Sequence, residues 1–344
     1  MKDSDVVDIV TPDRVRLSVD EARTVAERAL QRIGYDAEEA RIVADHVLDA
    51  ALCGYEYSGL PKILNVAEHR RLRQPRRAMR AVHETPVSGR FDGGNNLGMV
   101  ALFCATQAAI TKAGAQGFAV VGVNNSWVSG RSAYYVEKIA RAGLVGMLTI
   151  ASTRHVTPLG GAKATIGTNP VAFGFPCEGE AFVFDMGTSA FMSTDLQFRQ
   201  RRGEQLPEGV AIDAQGRPTR DPAEAKKGAI LPFGGYKGFG LAMVMQAFGV
   251  LAGSATDVEQ SYGYLIVAFR PDLMMPLDQY KRDLAAMLAR VKATPRQAGV
   301  EEIRLPSERA FRERARNRRE GIVIDRKIYD ALLALPAGKL PPLQ

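Results

Sequence analysis

The spacing of apolar residues predicts two amphipathic helices at the start of the chain. The first begins with a capping box, Ser18-x-x-Glu21, and keeps apolar residues at helical intervals up to Gly34. The second begins with a capping box at Asp36-x-x-Glu39 and ends at Gly54. We therefore expect the first 55 residues to form a helical hairpin.

Helical and extended patterns then alternate, which indicates a mixed or parallel sheet that carries helices. The segment from 151 to 240 is rich in Gly, Pro, Thr and Asn and is typical of functional loops. The predicted helices are 97–113, 133–142, a buried helix at 237–251, an amphipathic one at 277–291 and an arginine-rich one at 307–319. The predicted strands are 118–123, 144–150, 171–175, 182–185 and 264–269.

The net charge of +7 comes from arginine, which is concentrated in two stretches. Six arginines lie between 70 and 80, and six lie between 309 and 319, where glutamates are interleaved. A basic face of this kind is compatible with nucleic-acid binding. Because no set of stacking aromatics accompanies the charge, we expect solvated faces and no nucleic-acid partner.

Several other classes of protein are disfavoured by what the sequence lacks. It has no run of 18 apolar residues and no basic, apolar leader, so we expect a cytoplasmic protein without a membrane partner. The cysteines, Cys53, Cys104 and Cys177, form no C-x-x-C pair, and we expect them to be reduced and buried. The four histidines are solitary, so no metal site is expected.

The common dinucleotide motifs are also absent. No G-x-G-x-x-G follows an early strand, and no Walker loop occurs. The pair Tyr134-x-x-x-Lys138 matches that of short-chain dehydrogenases, but there the glycine turn precedes the tyrosine. Here the corresponding glycine spacing begins at Gly234, far after the tyrosine. A dehydrogenase of either usual kind is therefore not indicated.

The strongest local signal is a series of glycine- and hydroxyl-rich segments at 159–170, 185–189 and 231–240. Glycine leaves backbone N–H groups open to close approach, and the segments add hydroxyls and lysine. This combination suits the recognition of phosphate or amide groups. Loops that serve only as turns would have the same composition.

These segments resemble the type-2 malate/L-lactate dehydrogenases, which are NAD(P)-dependent oxidoreductases unrelated to the Rossmann lactate dehydrogenases. The resemblance covers nearly the whole chain. Its motifs are Asp92–Gly98, Gly160–Gly161, Gly167–Pro170, Asp185–Ser189, Leu206–Pro222, Gly234–Gly240, Ile303–Ser307 and Arg318–Ile322. It implies an α/β fold with a non-Rossmann, mixed, mostly antiparallel sheet for the cofactor, flanked by helical domains from both termini, and it implies a homodimer. We expect an N-terminal helical region at 1–85, a sheet-based cofactor and substrate region at 86–300, and a C-terminal helical region at 301–344.

The resemblance also implies which residues bind the cofactor, NAD or NADP. They are Met186, Gly187, Thr188, Ser189, Ala190, Phe191, Met192, Thr168, Asn169, Tyr236, Lys237, Ser307, Glu308 and Arg309. Lys237 and Arg309 can neutralise a pyrophosphate, and Thr188 with Ser189 can hydrogen-bond it or the carboxamide. Arginines at 199, 201 and 202 suit a ribose 2′-phosphate and slightly favour NADPH, although a solvated charged turn explains them equally well.

The chain departs from the family at its catalytic positions. Family members carry a Ser-His-Gly turn, whose histidine is the acid/base, and an arginine four residues later that holds the substrate carboxylate. The matching positions here are Tyr57, Ser58 and Lys62. A second family histidine falls at Val128, or at a neighbouring position after a small shift, and no histidine is there. We expect Ser58 and Tyr57 to position a small carboxylate substrate and Lys62 to pair with its carboxylate.

The missing histidines bear on the reaction. An imine that is already protonated draws hydride without a separate acid, whereas a ketone needs a proton donor. The predicted function is an NAD(P)H-dependent reductase of a cyclic imino acid or a 2-oxo acid. His155, near the glycine series, is a candidate for a relocated acid/base, with a solvated loop histidine as the alternative. Alternative functions are a catalytically silent homologue that binds or regulates and an arginine-mediated nucleic-acid binder.

Overall fold

The computed structural model describes residues 8–254 and 262–336. The helices there are α1 (Val19–Arg32), α2 (Ala37–Leu52), α3 (Pro61–Glu68), α4 (Gly98–Gln116), α5 (Ser132–Arg141), α6 (Ser193–Arg202), α7 (Pro222–Lys227), α8 (Tyr236–Leu251), α9 (Leu277–Lys292), α10 (Glu308–Glu320) and α11 (Arg326–Leu333). The strands are β1 (Asp8–Thr11), β2 (Arg14–Leu17), β3 (Arg80–Thr85), β4 (Ser88–Leu97), β5 (Phe118–Trp127), β6 (Val145–Ala151), β7 (Val171–Phe175), β8 (Phe182–Met186), β9 (Ala211–Ile212), β10 (Ala229–Ile230), β11 (Gly263–Phe269) and β12 (Ile322–Asp325). The chain divides into a terminal unit, residues 1–75 with 308–344, and a central unit, residues 76–307.

The two predicted capping boxes begin the first helices of the terminal unit. Ser18 Oγ accepts the Glu21 backbone N–H at 3.2 Å, and the Glu21 carboxylate accepts the Ser18 N–H at 2.7 Å. Asp36 and Glu39 make the same reciprocal bonds at the start of α2. These bonds satisfy N–H groups that have no partner inside the helix, so local sequence is enough to set where each helix begins.

A small sheet that the sequence pattern did not reveal joins the two ends of the chain. Its order is β1-β2-β12, and it is antiparallel throughout. Leu17 pairs with Ile322 and Val15 with Ile324, and all four side chains are buried. Each strand has only four residues, too few for periodicity to distinguish a strand from a loop.

The central unit is built on a seven-stranded sheet of order β3-β4-β5-β11-β6-β7-β8. Only β4 and β5 run parallel, so the predicted mixed, mostly antiparallel sheet is confirmed. Gly146 of β6 faces Ile139 of α5, whereas Ala151 of the same strand faces Gly249 of α8. Because side chains alternate along a strand, α5 and α8 cover opposite faces of the sheet.

The strand register gathers several chain segments at one edge of this sheet. Gly263 pairs with both Asn124 and Ala151, and Val171 pairs with Met186. The carboxyl ends of β5, β6 and β8 therefore lie beside the amino ends of β7 and β11. We call this the loop edge.

Two expectations about burial were wrong. The helix predicted as buried, α8, packs its small residues on the sheet and exposes an apolar stripe that includes Met243, Val244 and Leu251. It is apolar on all sides, so composition could not show which side faces outward. Of the cysteines only Cys53 is buried, while Cys104 is exposed and Cys177 is half-buried.

No described helix is long and apolar enough to cross a membrane. Across the described ranges, no three His, Cys, Asp or Glu side chains are grouped in a way that would hold a metal ion.

Candidate active site

Backbone hydrogen bonds bring the three glycine-rich segments together at the loop edge. The Thr188 N–H donates to the Thr168 carbonyl at 2.9 Å, and the Phe233 N–H donates to the Thr188 carbonyl at 2.9 Å. The Ala190 N–H donates to the Leu231 carbonyl at 2.7 Å. Segments far apart in sequence thus form one continuous structure, which we call the glycine cluster (residues 167–170, 185–192 and 231–240).

Gly238 is required where α8 meets the glycine cluster. A Cβ at this position would lie 2.1 Å from the Phe233 carbonyl oxygen and 2.7 Å from that of Thr188. Both neighbours are backbone atoms and cannot move aside. Only glycine therefore allows the first turn of α8 to approach the segment after β8 this closely.

Several residues predicted to bind cofactor make hydrogen bonds that hold the cluster in shape. Asn169 is fully buried, and its Oδ1 accepts the Ser152 N–H at 2.9 Å while its Nδ2 donates to the Ala242 carbonyl at 3.1 Å. The Thr188 hydroxyl donates to the Thr168 carbonyl at 3.0 Å, and the Ser189 hydroxyl to the Phe191 carbonyl at 2.8 Å. Thr168, Thr188 and Ser189 are buried as well. Their polar atoms contribute rigidity to the cluster.

A hydrophobic core packs against one side of the glycine cluster. Its buried members come from the chain beside and between the three segments: Val156, Ile166, Leu196, Leu206, Val210, Ala211, Ala225, Ile230 and Ala242. Ala190, Phe191 and Phe239 pack against it and stay partly exposed. The segment that follows β8 is therefore anchored on one side and open on the other.

The open side presents the groups that fit a dinucleotide. Met186, Gly187 and Met192 are half-exposed, Tyr236 is 70% exposed and Lys237 is exposed. Helix α8 begins at Gly235 without a side-chain cap. The amino end of a helix with uncapped N–H groups and a neighbouring lysine attracts phosphate. This donor set fits the pyrophosphate of a nicotinamide dinucleotide.

The arginines considered for a 2′-phosphate follow the cluster on α6. Arg199 lies 3.6 Å from Asp195 and 3.7 Å from Glu204, and Arg202 lies 3.1 Å from Glu204. Two carboxylates thus offset part of the charge of three arginines, which include Arg201 at the last turn of the helix.

Asp185, part of the predicted motif, serves as a cap for a helix. Its Oδ2 accepts the Ala133 N–H at 2.8 Å, at the start of α5. Burial raises the pKa of this carboxyl, while Arg131 and the backbone N–H groups of Ser132 and Ala133 act in the opposite direction. The contact ties the end of β8 to α5.

In the terminal unit, the predicted catalytic residues lie on a tight turn and on α3. Tyr57 and Ser58 belong to a 3-10 turn, Glu56–Ser58, and Ser58 is 7% exposed. Lys62 lies on the first turn of α3 and is 3% exposed. Burial alone lowers the pKa of Lys62 to about 8, with no carboxylate contributing. A buried ammonium group without a counter-ion has a strong electrostatic tendency to acquire an anion.

Charged side chains hold this turn. Arg14 donates two hydrogen bonds to the Glu56 carboxylate, at 2.9 and 3.0 Å, and the Asp325 N–H donates to the same carboxylate at 3.0 Å. Gly59 follows, where a Cβ would lie 2.8 Å from the Ala51 side chain. The Glu56 contacts join the turn to the small sheet, and the close packing at Gly59 joins it to α2.

The C-terminal residues of the predicted cofactor set come close to the same turn. The Arg309 guanidinium lies over the Tyr55 ring at 4.6 Å, and the Tyr55 ring meets the Tyr57 ring edge-on at 6.5 Å. Glu308 pairs with Arg312 at 2.7 Å. Ser307 is the last residue of the central unit and has a left-handed backbone, with φ +61°.

His155 is placed at the loop edge of the central unit, with partners that the sequence did not indicate. Its Nε2 lies 3.0 Å from the Thr153 hydroxyl oxygen, which lies 3.3 Å from the phenol oxygen of Tyr262. Burial, followed by the positive charge of Lys226, lowers the pKa of His155. Thr153 and Tyr262 are 109 residues apart, and no motif links them. Only the pairing of β6 with β11 brings them together.

The loop after β5, where a second family histidine was sought, contains Val128 in a left-handed conformation, with φ +57°. A β-branched residue rarely adopts this conformation because its side chain crowds the backbone. The loop is held by hydrogen bonds from Trp127 Nε1 to the Asn95 carbonyl and from the Tyr135 hydroxyl to the Ser129 carbonyl. Trp127 and Tyr134 are buried.

Known proteins resemble this chain over nearly its full length. A family model described as malate/L-lactate dehydrogenase matches residues 17–333. The chain is 31% identical to L-sulfolactate dehydrogenase of Methanothermobacter thermautotrophicus over 93% of its length and 96% of the relative. It is 32% identical to a Delta(1)-pyrroline-2-carboxylate/Delta(1)-piperideine-2-carboxylate reductase of Pseudomonas aeruginosa, over 93% of its length and 99% of the relative. A dehydrogenase structure from Sinorhizobium meliloti matches 94% of this chain and 98% of its own, with 30% identity and a TM-score of 0.85.

These relatives are named dehydrogenases and reductases, and the predicted oxidoreductase is thereby confirmed. They offer no support for a silent homologue. With a matching fold and a matching family model, the chain belongs to the malate/L-lactate dehydrogenase family.

Proposed function

We propose that this protein uses NADPH to reduce a cyclic imino acid or a 2-oxo acid, with the glycine cluster as the cofactor site and Lys62 as the carboxylate site. The observation that carries the proposal is the hydrogen-bonded assembly of the three glycine-rich segments, which leaves an open face with the amino end of α8. A nicotinamide dinucleotide supplies hydride when it is bound. The residues of the chain orient it and the substrate.

The cofactor contacts follow from which cluster residues remain exposed. Lys237 and the first N–H groups of α8 bind the pyrophosphate, since charge and helix dipole act in the same direction there. Met186, Gly187 and Ala190–Met192 form the apolar and backbone surface against the nicotinamide end. The buried Thr168, Asn169, Thr188 and Ser189 keep that surface rigid. Rigid placement matters because hydride transfer depends on distance and alignment.

The substrate carboxylate pairs with Lys62. The folded protein already bears the cost of burying this ammonium group, and a carboxylate of opposite charge would offset that cost. Tyr57 and Ser58 flank the group and position the substrate, with Ser58 as a hydrogen-bonding hydroxyl. Arg309 stiffens the turn through its contact with Tyr55.

The preference for NADPH over NADH rests on α6. Three arginines lie in its last turns, and one of them, Arg199, lies over the Phe191 ring, so the helix brings positive charge next to the cluster. A ribose 2′-phosphate is the part of NADPH that such a charge recognises. We expect Arg201→Ala to raise KM for NADPH at least tenfold and to leave KM for NADH unchanged.

We further propose a homodimer in which the exposed stripe of α8 is covered by a second copy. Met243, Val244, Val250 and Leu251 are large, apolar and about half or more exposed, in two pairs that lie two turns apart on one side of α8, a pattern typical of an interface. Light scattering of the purified protein tests this, and Met243→Glu should produce monomers. Met274→Glu is the control, because Met274 is also exposed but lies outside α8.

The central test is turnover. NADPH and NADH are offered with a panel of cyclic imino acids and 2-oxo acids, and binding of each cofactor is measured separately by fluorescence. We expect NADPH to bind and at least one carboxylate substrate to be reduced, with turnover lost in Lys62→Ala while the variant stays folded. Absence of cofactor binding would reject the proposal, and binding without any turnover would favour the silent homologue.

A further inference from the structure

Three side chains form a hydrogen-bonded chain at the loop edge. Thr153 and His155 follow β6, and Tyr262 immediately precedes β11. The Thr153 hydroxyl lies between the other two, 3.0 Å from His155 Nε2 and 3.3 Å from the Tyr262 phenol oxygen. Thr153 and Tyr262 are buried, whereas His155 is half-buried. The chain therefore runs from a partly exposed imidazole to a buried phenol.

This hydrogen-bonded chain lies near the cofactor cluster within the same unit. The end of β6 is separated from the end of β8, at Met186, by the single strand β7. Two strand spacings amount to about 10 Å. The Ser152 N–H donates to Asn169 Oδ1, so the segment that carries Thr153 is tied directly to the glycine cluster. The hydrogen-bonded chain and the glycine cluster are therefore joined within one unit.

The three groups can all donate in one direction. Nε2–H of His155 can donate to the Thr153 oxygen, the Thr153 hydroxyl can donate to the Tyr262 oxygen, and the phenol can donate onward. An O–H that both accepts and donates is what a proton relay needs between its ends.

We propose that His155, Thr153 and Tyr262 form the proton relay that takes the place of the missing family histidine, with Tyr262 giving the proton to the substrate. This inference rests on the proposed reductase function. The relay serves a 2-oxo acid, or an imine that binds without a proton on nitrogen: the substrate carbon accepts hydride from NADPH, which becomes NADP⁺, and the π electrons of C=O or C=N move to oxygen or nitrogen. That atom takes the Tyr262 proton, Tyr262 takes one from Thr153, and Thr153 takes one from the His155 imidazolium. Neutral His155 then regains a proton from water.

The surroundings of His155 set its pH response. Thr153 contacts it as an uncharged group, Arg154 is adjacent and exposed, and Lys226 on α7 adds a positive charge. Burial first and Lys226 second lower the pKa of His155 below its usual 6.5. The His155 imidazole carries the proton of the relay at low pH, so kcat for reduction falls as the pH rises through the lowered pKa of His155.

Conservative substitutions test the relay. Tyr262→Phe and Thr153→Val each remove one hydroxyl at nearly constant shape, and each should lower kcat by about 10²-fold. The NADPH dissociation constant and the melting temperature report on cofactor binding and folding, and neither should change much. The kcat of the double variant should be no lower than that of either single variant, because the loss of one hydroxyl already interrupts proton transfer. His83→Gln, on the exposed strand β3, is the histidine control. Retention of kcat within about twofold by Tyr262→Phe across pH 5–9 would overturn the inference.

A second pair of variants addresses the source of the proton. Lys226→Gln removes the charge that depresses the His155 pKa, so the fall in kcat should move to higher pH. Lys227→Gln removes the neighbouring charge, which pairs with Glu224 at 2.8 Å, and should leave the profile in place. An unmoved profile in Lys226→Gln would reject His155 as the source. If the wild-type protein turns over substrate and every relay variant does so at the same rate, only the relay is refuted. If the wild-type protein reduces no substrate of the panel, the proposed reductase function is refuted.

Discussion

The terminal and central units hold the residues proposed for substrate and for cofactor by different means. In the central unit, backbone hydrogen bonds and a close glycine contact shape the cofactor cluster, as at Thr188 and Gly238. In the terminal unit, the turn that carries Ser58 is held by the Arg14–Glu56 ion pair and is followed by the buried Lys62. Backbone contacts tolerate changes of side chain, whereas a site built from side chains changes its chemistry with each substitution. The family motifs survive in the first region and are altered in the second.

The largest expected effect breaks the backbone-built region. Gly238→Ala forces a Cβ against two carbonyl oxygens and should lower the free energy of unfolding of the central unit by about 3 kcal/mol or more. It should also abolish NADPH binding, because the amino end of α8 can no longer approach the segment after β8. Chemical denaturation and fluorescence titration measure the two effects.

Gly240→Ala is the matched control in the same helix. A Cβ there meets nothing within 4 Å, so the variant should bind NADPH normally. Its stability should rise by up to about 1 kcal/mol, since alanine favours a helix over glycine. Equal damage from both substitutions would show that close packing at Gly238 is not the cause.

The next effect concerns the charge buried in the terminal unit. Lys62 has a pKa of about 8 when folded and near 10.5 when unfolded, so the folded state is penalised by about 3 kcal/mol at pH 7. Lys62→Met should raise the free energy of unfolding at pH 7 by up to that amount while abolishing substrate binding. Between pH 8 and 10.5 the unfolded state binds more protons, so wild-type stability should rise with pH in that window. Lys62→Met should lack this rise, and denaturation at several pH values tests both points.

The same lysine should control how substrate binding depends on pH. Lys62 is charged below pH 8 and neutral above it, so KM for the carboxylate substrate should rise about tenfold per pH unit above 8. Lys62→Arg keeps its charge at these pH values, and any substrate binding that it retains should show no such rise. A flat wild-type KM between pH 7 and 10 would contradict the assignment of Lys62 to the carboxylate.

A smaller loss is expected from the ion pair that holds the turn. Glu56→Gln weakens the two bonds from Arg14 and should lower the free energy of unfolding by about 1–3 kcal/mol. Glu38→Gln changes an exposed glutamate on α2 and should stay within about 0.5 kcal/mol of wild type. If the two variants are equally stable, the turn is held by packing instead of charge.

The smallest expected effect is a gain in the central unit. Val128→Asn replaces a strained β-branched residue at φ +57° with one that tolerates this conformation, and it should add about 0.5–1 kcal/mol. Val87→Asn, at an exposed position without positive φ, should add nothing. Thermal unfolding compares the pair, and equal melting temperatures would mean that the loop after β5 relaxes without cost.

Local patterns in the sequence were enough for much of the fold. The capping boxes at Ser18 and Asp36 act within four residues, and the structure begins α1 and α2 there. Strands β5 and β6 were expected from their apolar runs, and both are present, with β5 longer than predicted. The identity and position of the cofactor residues, and the roles of Ser58 and Lys62, stay predictions that the experiments above address.

By itself, the sequence determined where the first helices begin, which segments are rich in glycine and hydroxyls, and which family the chain resembles. Only the tertiary structure decided that β11 lies between β5 and β6, that Tyr262 meets Thr153, and that Lys62 is buried with no carboxylate among the described residues shifting its pKa. The physical reason is distance along the chain. Caps and turns depend on neighbours a few residues away, whereas strand order and burial depend on contacts between residues that only the folded chain brings together.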